Sequence, residues 1–309
     1  RNLKIESQLN ANYNFENLKR DIIFQSIQSS YGKIYFDYKI EDLVKRDDFI
    51  EVTKRTLQSI KRAVKFLFED LLVLNSKLIP YNAQLIFLTI FFNSLDGKEP
   101  TEKQILSLKK WFWITSYSNY FTIYSLSNQR KAFEKFNKFI IDESVDPVYS
   151  DNEKNLFISG EFPSKIFMGS VRAKSLALFM INYSRGIKNI TLERLNFESF
   201  ESFEFGNLFS KTQKENSSEN IVPIIRVFER IEDNTILYKV LGVSKRQKNY
   251  QSFLSNENEN LFITSKMVEK YNDLYSEEDI LKIRLEEIVK AEKKFVSNLG
   301  LLYNEPLLF

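Results

Sequence analysis

Apolar residues along this chain recur with the 3.6-residue period of helices far more often than with the alternation of strands. Residues 14–31 predict a first helix: Phe15, Leu18, Ile22 and Ile27 fall near one face, Asn14 can cap it, and Gly32 follows. Residues 33–46 are mixed, either a turn with extended pieces or a short helix. Residues 48–74 predict a long helix with Phe49, Val52, Ile60, Val64, Leu67, Leu71 and Leu74 on its core stripe and Asp47 and Asp48 at its positive end.

The stretch 79–139 organises the chain. Pro80 sits just before or in the first turn of a helix reaching Leu95, and the helix is apolar on nearly every face, which predicts burial on most sides. Gly97 ends it, and Thr101 with Gln104 is a capping-box signal for the next helix. Ile105, Leu108, Phe112 and Thr115 form the stripe of that helix. Trp111 and Trp113 flank it, so at least one ring lies at an edge or meets another helix. Such stripes form cores far more often than base-stacking platforms. Ser127 can cap a third helix carrying Phe133, Phe136 and Ile140.

Residues 142–165, with acidic residues, two prolines and Gly160, predict a surface connection, so two regions are expected, 1–165 and 166–309. Residues 166–185 predict a helix stopping at Gly186. Extended character follows at 187–200, a polar loop at 207–220, and β-branched runs at 221–227 and 235–240 that suit strands, although Pro223 argues against a central one. Residues 263–273 suit one short helix. Ser276 and Asp279 cap a last helix with Ile280, Ile283, Ile288, Ala291 and Phe295 along one side, and Gly300 suits the position just past its end.

Composition narrows the chemistry. With 8 Gly and 6 Pro in 309 residues, few breakers interrupt long helices. The net charge of +3 neither requires nor excludes nucleic acid, so any basic surface is local. The sequence contains no Cys, which removes thiolate nucleophiles and Cys-based zinc sites. It contains no His either, which removes imidazole bases and His-held metal nuclease centres. Codon bias with chance explains that absence as simply as loss of a site. No cofactor is expected, because no Gly-rich loop opens a helix to cradle phosphates. No signal peptide is recognised, and the most apolar run, residues 85–92, falls far short of the roughly 20 residues that span a bilayer. No membrane partner and a cytoplasmic location are expected. Because the first residue is Arg1, an upstream part is expected too.

Two clusters carry candidate chemistry. Glu198, Glu201 and Glu204 recur every three residues, as a carboxylate-only Mg²⁺ site or, far more commonly, a solvated acidic face. Lys245, Arg246 and Lys248, with Gln247 and Asn249, can neutralise phosphates or simply dress a surface. Lys109-Lys110 and Arg130-Lys131 are expected on ordinary solvated faces.

Ile79-Pro80-Tyr81 opening an apolar helix, then Leu108-x-x-Trp111-Phe112-Trp113 and a Ser/Tyr-rich segment, resemble the helical middle of the GmrSD-type family of bacterial modification-dependent restriction proteins. The long helix before this stretch and the ending, with Leu261-Phe262, Ser276-Glu277-Glu278-Asp279-Ile280 and Arg284, extend the resemblance over most of the chain. It implies an N-terminal ParB/sulfiredoxin-like nucleotide-using domain, a helical region and a C-terminal HNH nuclease domain. The nucleotide-using domain's Asp-Gly-Gln-Gln-Arg signature has no counterpart here, so such a domain is expected upstream or in a partner chain. The family's paired His followed by Ile-Phe-Pro-Lys aligns best with Gly206-Asn207-Leu208-Phe209-Ser210-Lys211, where Gly206 and Asn207 replace the histidines and neither takes up a proton near neutral pH. Lys211 and the 244–250 segment would then approach a DNA backbone.

The expectation is a mainly α protein: a multi-helix N-terminal region, a small α+β degenerate HNH-like region at about 187–262, and a C-terminal helix. It leans against catalysis. The expected role is the non-catalytic C-terminal portion of a GmrSD-like phage-defence protein, binding DNA through Lys211, Lys245, Arg246 and Lys248 or regulating the nucleotide-using domain. The alternatives are a helical interaction scaffold without a nucleic-acid role and a nuclease with a carboxylate-only metal site.

Overall fold

The computed structural model describes residues 13, 15, 18–151, 157–163, 169–188, 204–207, 239–243 and 262–306, with only the backbone described at 184–188, 204–207, 239–243 and 277–278. The chain is mainly helical, with ten α-helices among the described residues. Two compact units divide it: Arg1–Gly160 with Asn298–Leu302, and Glu161–Ser297 with Tyr303–Phe309.

The first unit is built from α1 (Arg20–Ser29), α2 (Ile40–Leu43), α3 (Phe49–Leu71), α4 (Asn82–Ser94), α5 (Glu102–Tyr117), α6 (Tyr120–Ile123) and α7 (Leu126–Ile141), with 3-10 turns at Tyr35–Asp37 and Ser76–Leu78. Helix α1 starts later than its apolar pattern suggests, because Lys19 is extended, although Phe15 and Leu18 before it are buried as expected. Asn14 lies outside the described residues. The mixed segment that follows holds the 3-10 turn and the single turn of α2.

Helix α3 ends three residues before Leu74. Leu72 adopts a left-handed conformation (φ 52°), and the N–H groups of Leu72 and Val73 both turn back on the Leu67 carbonyl. Leu72, Val73 and Leu74 remain fully buried past the helix end, so the apolar stripe outruns the helix. Burial explains why a leucine holds a conformation that costs an L-residue roughly 1–2 kcal/mol.

Helix α4 is the centre of this unit, with every residue from Gln84 to Phe92 buried. The Phe87 ring stacks on Trp111 at 5.7 Å and meets Phe133 and Phe136 edge-on at 5.3 and 5.1 Å. Phe91 stacks on Phe139 at 5.9 Å. These contacts join α4 to α5 and α7, and each aromatic pair adds about 0.5–1.5 kcal/mol beyond area burial. Gln84 closes the polar gap: its two amide N–H groups are shared among the Phe112 carbonyl (3.1 Å), Thr115 Oγ1 (2.9 Å) and Ser116 Oγ (2.8 Å).

The turn after α4 uses Gly97 at φ +84°, and the Thr101–Gln104 capping box forms as expected: Gln104 N donates to Thr101 Oγ1 and Thr101 N to Gln104 Oε1. The cap of α7 is Ser125 rather than Ser127; its Oγ accepts from Asn128 N. The inward face shifts with it, so Phe139 is fully buried and Ile140 only half-buried. A parallel bridge between Ile158 and Leu302 adds the last strip of this unit: Ser159 N donates to the Leu302 carbonyl (2.8 Å) and Leu302 N to the Phe157 carbonyl (2.9 Å).

The second unit contains α8 (Val171–Lys188), the strands β1 (Glu204–Asn207) and β2 (Lys239–Val243), α9 (Ser265–Asn272) and α10 (Glu277–Asn298). Helix α8 runs through Gly186 instead of stopping there; a lone glycine weakens a helix by about 1 kcal/mol without ending it. It also makes residues 187–188 helical rather than extended. The strands pair antiparallel, Gly206 with Val240 and Asn207 with Lys239. Of residues 189–261 only these strands are described, so the expected small α+β region is not shown. The runs 221–227 and 235–238 lie outside the described residues. Ser276 caps α10 through Asp279 N (3.2 Å), and Gly300 at φ +84° turns the chain after it. No helix among the described residues is long and apolar enough to cross a membrane.

Candidate functional site: a buried arginine–glutamate–tyrosine centre

The buried stripe of α10 contains charges. Leu281, Arg284, Ile288 and Glu292 follow one another at helical spacing, and all four are buried. Ala291 and Phe295, expected on the core side, are half-buried instead. The signal was present in the sequence, since Arg284 stands four residues after Ile280 and Glu292 four after Ile288.

Glu292 is fully buried and meets Arg172, in the first turn of α8 and 7% exposed. Arg172 Nη1 donates to Glu292 Oε1 (2.8 Å) and Nη2 to Oε2 (2.7 Å), a bidentate fork. Tyr303, carried back by the turn at Gly300, donates its hydroxyl to Oε2 at 2.7 Å. The Arg172 guanidinium also lies over the Phe162 ring, 5.6 Å from its centroid. Burial first, and the Glu292 charge second, raise the Tyr303 phenol well above its ordinary value, so it stays a donor. Burial pushes the Arg284 guanidinium down to about 9, leaving it charged near neutrality.

This centre pins rather than reacts. A carboxylate enclosed by three donors and closed to solvent cannot take a proton from a substrate. It fixes α8, α10 and the chain after Gly300 to one another.

A second polar knot lies in the first unit. Tyr149 N donates to the Tyr120 hydroxyl (2.8 Å), and the Tyr124 hydroxyl donates to the Tyr149 carbonyl (3.0 Å). Asp151 receives the Tyr149 hydroxyl (2.6 Å) and the Asn128 amide (2.7 Å). Its hydrogen bond to Asp151 pushes the Tyr149 phenol up to about 12, and burial does the same for Tyr124. Neither supplies a phenolate near neutral pH.

No protein-family model, curated protein or solved structure matches the chain.

The sequence-derived candidates fall elsewhere. Lys211, Lys245, Arg246 and Lys248 lie outside the described residues, as do Glu198 and Glu201. Glu204 opens β1, and Gly206 and Asn207 end it, their backbones paired with β2. Among the described residues no three His, Cys, Asp or Glu side chains stand where they could hold a metal ion. Trp111 and Trp113 are 0% and 7% exposed, so neither ring offers a stacking face. Lys109 pairs with Asp70 (2.7 Å), and Arg130 forks onto Asp37 (2.7–2.9 Å). Both basic pairs flagged in the sequence therefore contribute one residue to the packing of the first unit.

Proposed function

We propose that this chain is the non-catalytic C-terminal portion of a GmrSD-like restriction or phage-defence protein. It binds DNA or regulates an attached ParB-like nucleotide-using domain. One observation carries the reading: Gly206 and Asn207 stand where the resembling family places its paired histidines, in a sequence that contains no His at all. Without an imidazole, an HNH centre has neither its water-activating base nor its usual metal ligand. Among the described residues, buried Arg172 and Glu292 are spent on one another and on half-buried Tyr303. The small α+β region around Gly206 belongs to this proposal, with Lys211, Lys245, Arg246 and Lys248 as its DNA contacts.

The test is supercoiled plasmid with Mg²⁺ or Mn²⁺, together with duplex binding followed over a salt series. No cleavage is expected, and binding should fall in the variant Lys245→Ala/Arg246→Ala. Metal-dependent cleavage that Glu201→Ala abolishes would overturn the non-catalytic reading. Binding unchanged by the double substitution would remove the DNA role of that cluster.

A further inference from the structure

Helix α3 carries a basic surface on residues other than those candidates. Between Val52 and Phe68 the helix has Lys54, Arg55, Lys61, Arg62 and Lys65 and no acidic residue. At about 100° per residue these five cations and Gln58 fall within about a third of the helix circumference. That arc is the outward one, because Val52, Thr56, Ser59, Ile60, Ala63, Val64 and Leu67 occupy the buried side. Lys54, Arg55, Gln58 and Lys65 are exposed, and Lys61 and Arg62 half-exposed. Among the described residues Lys54 and Arg55 have no ion-pair partner.

Acidic groups share the arc only at its two ends. Glu51 stands a turn before Lys54 and Arg55, Glu69 a turn past Lys65 at 3.9 Å from it, and from outside the helix Glu99 lies 3.6 Å from Arg62. Arg62 is otherwise held by the carbonyls of Phe92 and Lys98 and over the Phe92 ring, so its charge is fixed in place. Helix stability does not account for this pattern. Lys61 and Lys65 are like charges four apart, which weakens a helix by a few tenths of a kcal/mol. The outward residues of α10 show the ordinary arrangement, with Lys282, Glu286, Glu287 and Lys290 mixing signs.

We propose that the outward face of α3 docks the sugar–phosphate backbone of double-stranded nucleic acid without reading bases. From Lys54 to Lys65 the cations extend over about 16 Å of helix, against a duplex carrying one negative charge per about 1.7 Å. The face has no exposed aromatic ring, since Phe66 and Phe68 are buried, so it lacks the stacking platform that single strands use. It also has no apolar flank to insert into a bilayer: that side of α3 is core, and exposed Ile50 stands alone in the first turn. The surface shares a nucleic-acid role with the preceding reading, but it does not depend on Lys245 or Arg246.

The test is fluorescence anisotropy of a labelled mixed-sequence 20-base-pair duplex with the full chain from about 50 to 200 mM salt. With four exposed or half-exposed cations engaged (Lys54, Arg55, Lys61 and Lys65), log affinity should fall against log salt with a slope contribution of about −3.6. Lys54→Gln/Arg55→Gln/Lys65→Gln should remove about 2.7 of that slope, with circular dichroism unchanged. Gln58→Glu is the second variant. It places a carboxylate three or four residues from Lys54, Arg55, Lys61 and Arg62, so it should leave the helix as stable or more so while weakening duplex binding severalfold. Lys245→Ala/Arg246→Ala should leave the α3-dependent slope intact, which separates this surface from the other cluster. The proposal is overturned by no duplex binding at 50 mM salt, or by an unchanged slope in the triple variant. It is equally overturned by tighter binding to a single strand or to phosphatidylserine vesicles than to the duplex.

Discussion

Breaking the Arg172–Glu292 pair from either side should cost far more than removing it whole. Both side chains are nearly or fully buried, so solvent does not screen the pair as it would on the surface. Glu292→Leu strands the Arg172 charge and takes the acceptor from Tyr303, while Arg172→Met leaves a buried carboxylate facing Tyr303. Each single substitution should cost about 3–5 kcal/mol. In Arg172→Met/Glu292→Leu the charges disappear together, and what remains is the Tyr303 hydroxyl without its acceptor, about 1–3 kcal/mol. The cycle should therefore return a coupling of at least about 3 kcal/mol. Both tryptophans, Trp111 and Trp113, lie in the first unit, so their fluorescence does not follow this centre. Hydrogen exchange of α8 and α10 peptides, read by mass spectrometry, reports local opening directly. Single substitutions whose costs add to that of the double within about 0.5 kcal/mol would refute the pairing argument.

Two further outcomes follow from the first unit. With both rings buried, tryptophan emission should be blue-shifted and resist acrylamide, and Trp111→Ala should cost about 3–5 kcal/mol in urea unfolding followed through Trp113. Trp111→Phe should cost less, because the buried indole N–H has no acceptor among the described residues; quenching of both rings on adding duplex would contradict this placement. The Arg130 fork, first through its hydrogen bonds and then through its charge, holds the Asp37 carboxyl below its ordinary value of 3.8. A lowered folded-state pKa gives stability that is present above 3.8 and lost as pH falls through the folded value. Arg130→Gln should therefore be less stable than the unaltered chain near neutrality, and thermal melts should converge in acid; a gap that persists there would refute the linkage.

Helix positions in the first unit were legible because periodicity and caps agree there. Thr101 with Gln104, Gly97 and the all-round apolar pattern of α4 each point to one structure. Boundaries failed where tertiary packing overrides local pattern. The apolar run through Leu74 continues past α3 because the chain after Leu72 stays buried without being helical. Ser125 and Ser127 are chemically equal caps, and the inward choice of Phe139 over Ile140 accompanies the earlier one. The buried centre was hidden for a different reason. The place of Glu292 on the apolar stripe of α10 is readable, but nothing local pairs it with Arg172, 120 residues earlier, or with Tyr303 past the turn at Gly300. The bias of α3 was visible in the letters, but its outward direction required the buried side to be known.

The bridge between Ile158 and Leu302 has a temporal consequence. The strip Asn298–Leu302 belongs to the first unit, yet it is synthesised after nearly all of the second. Ribosomal synthesis delivers domains N-terminus first, so the helices around α4 emerge long before the strand that finishes their unit. The two hydrogen bonds across that bridge wait for about 140 further residues, and closing so long a loop taxes rate more than stability. The helices of the first unit therefore leave the ribosome before the backbone edge at Phe157–Ser159 has its partner, and that edge is sealed only once Leu302 has been made.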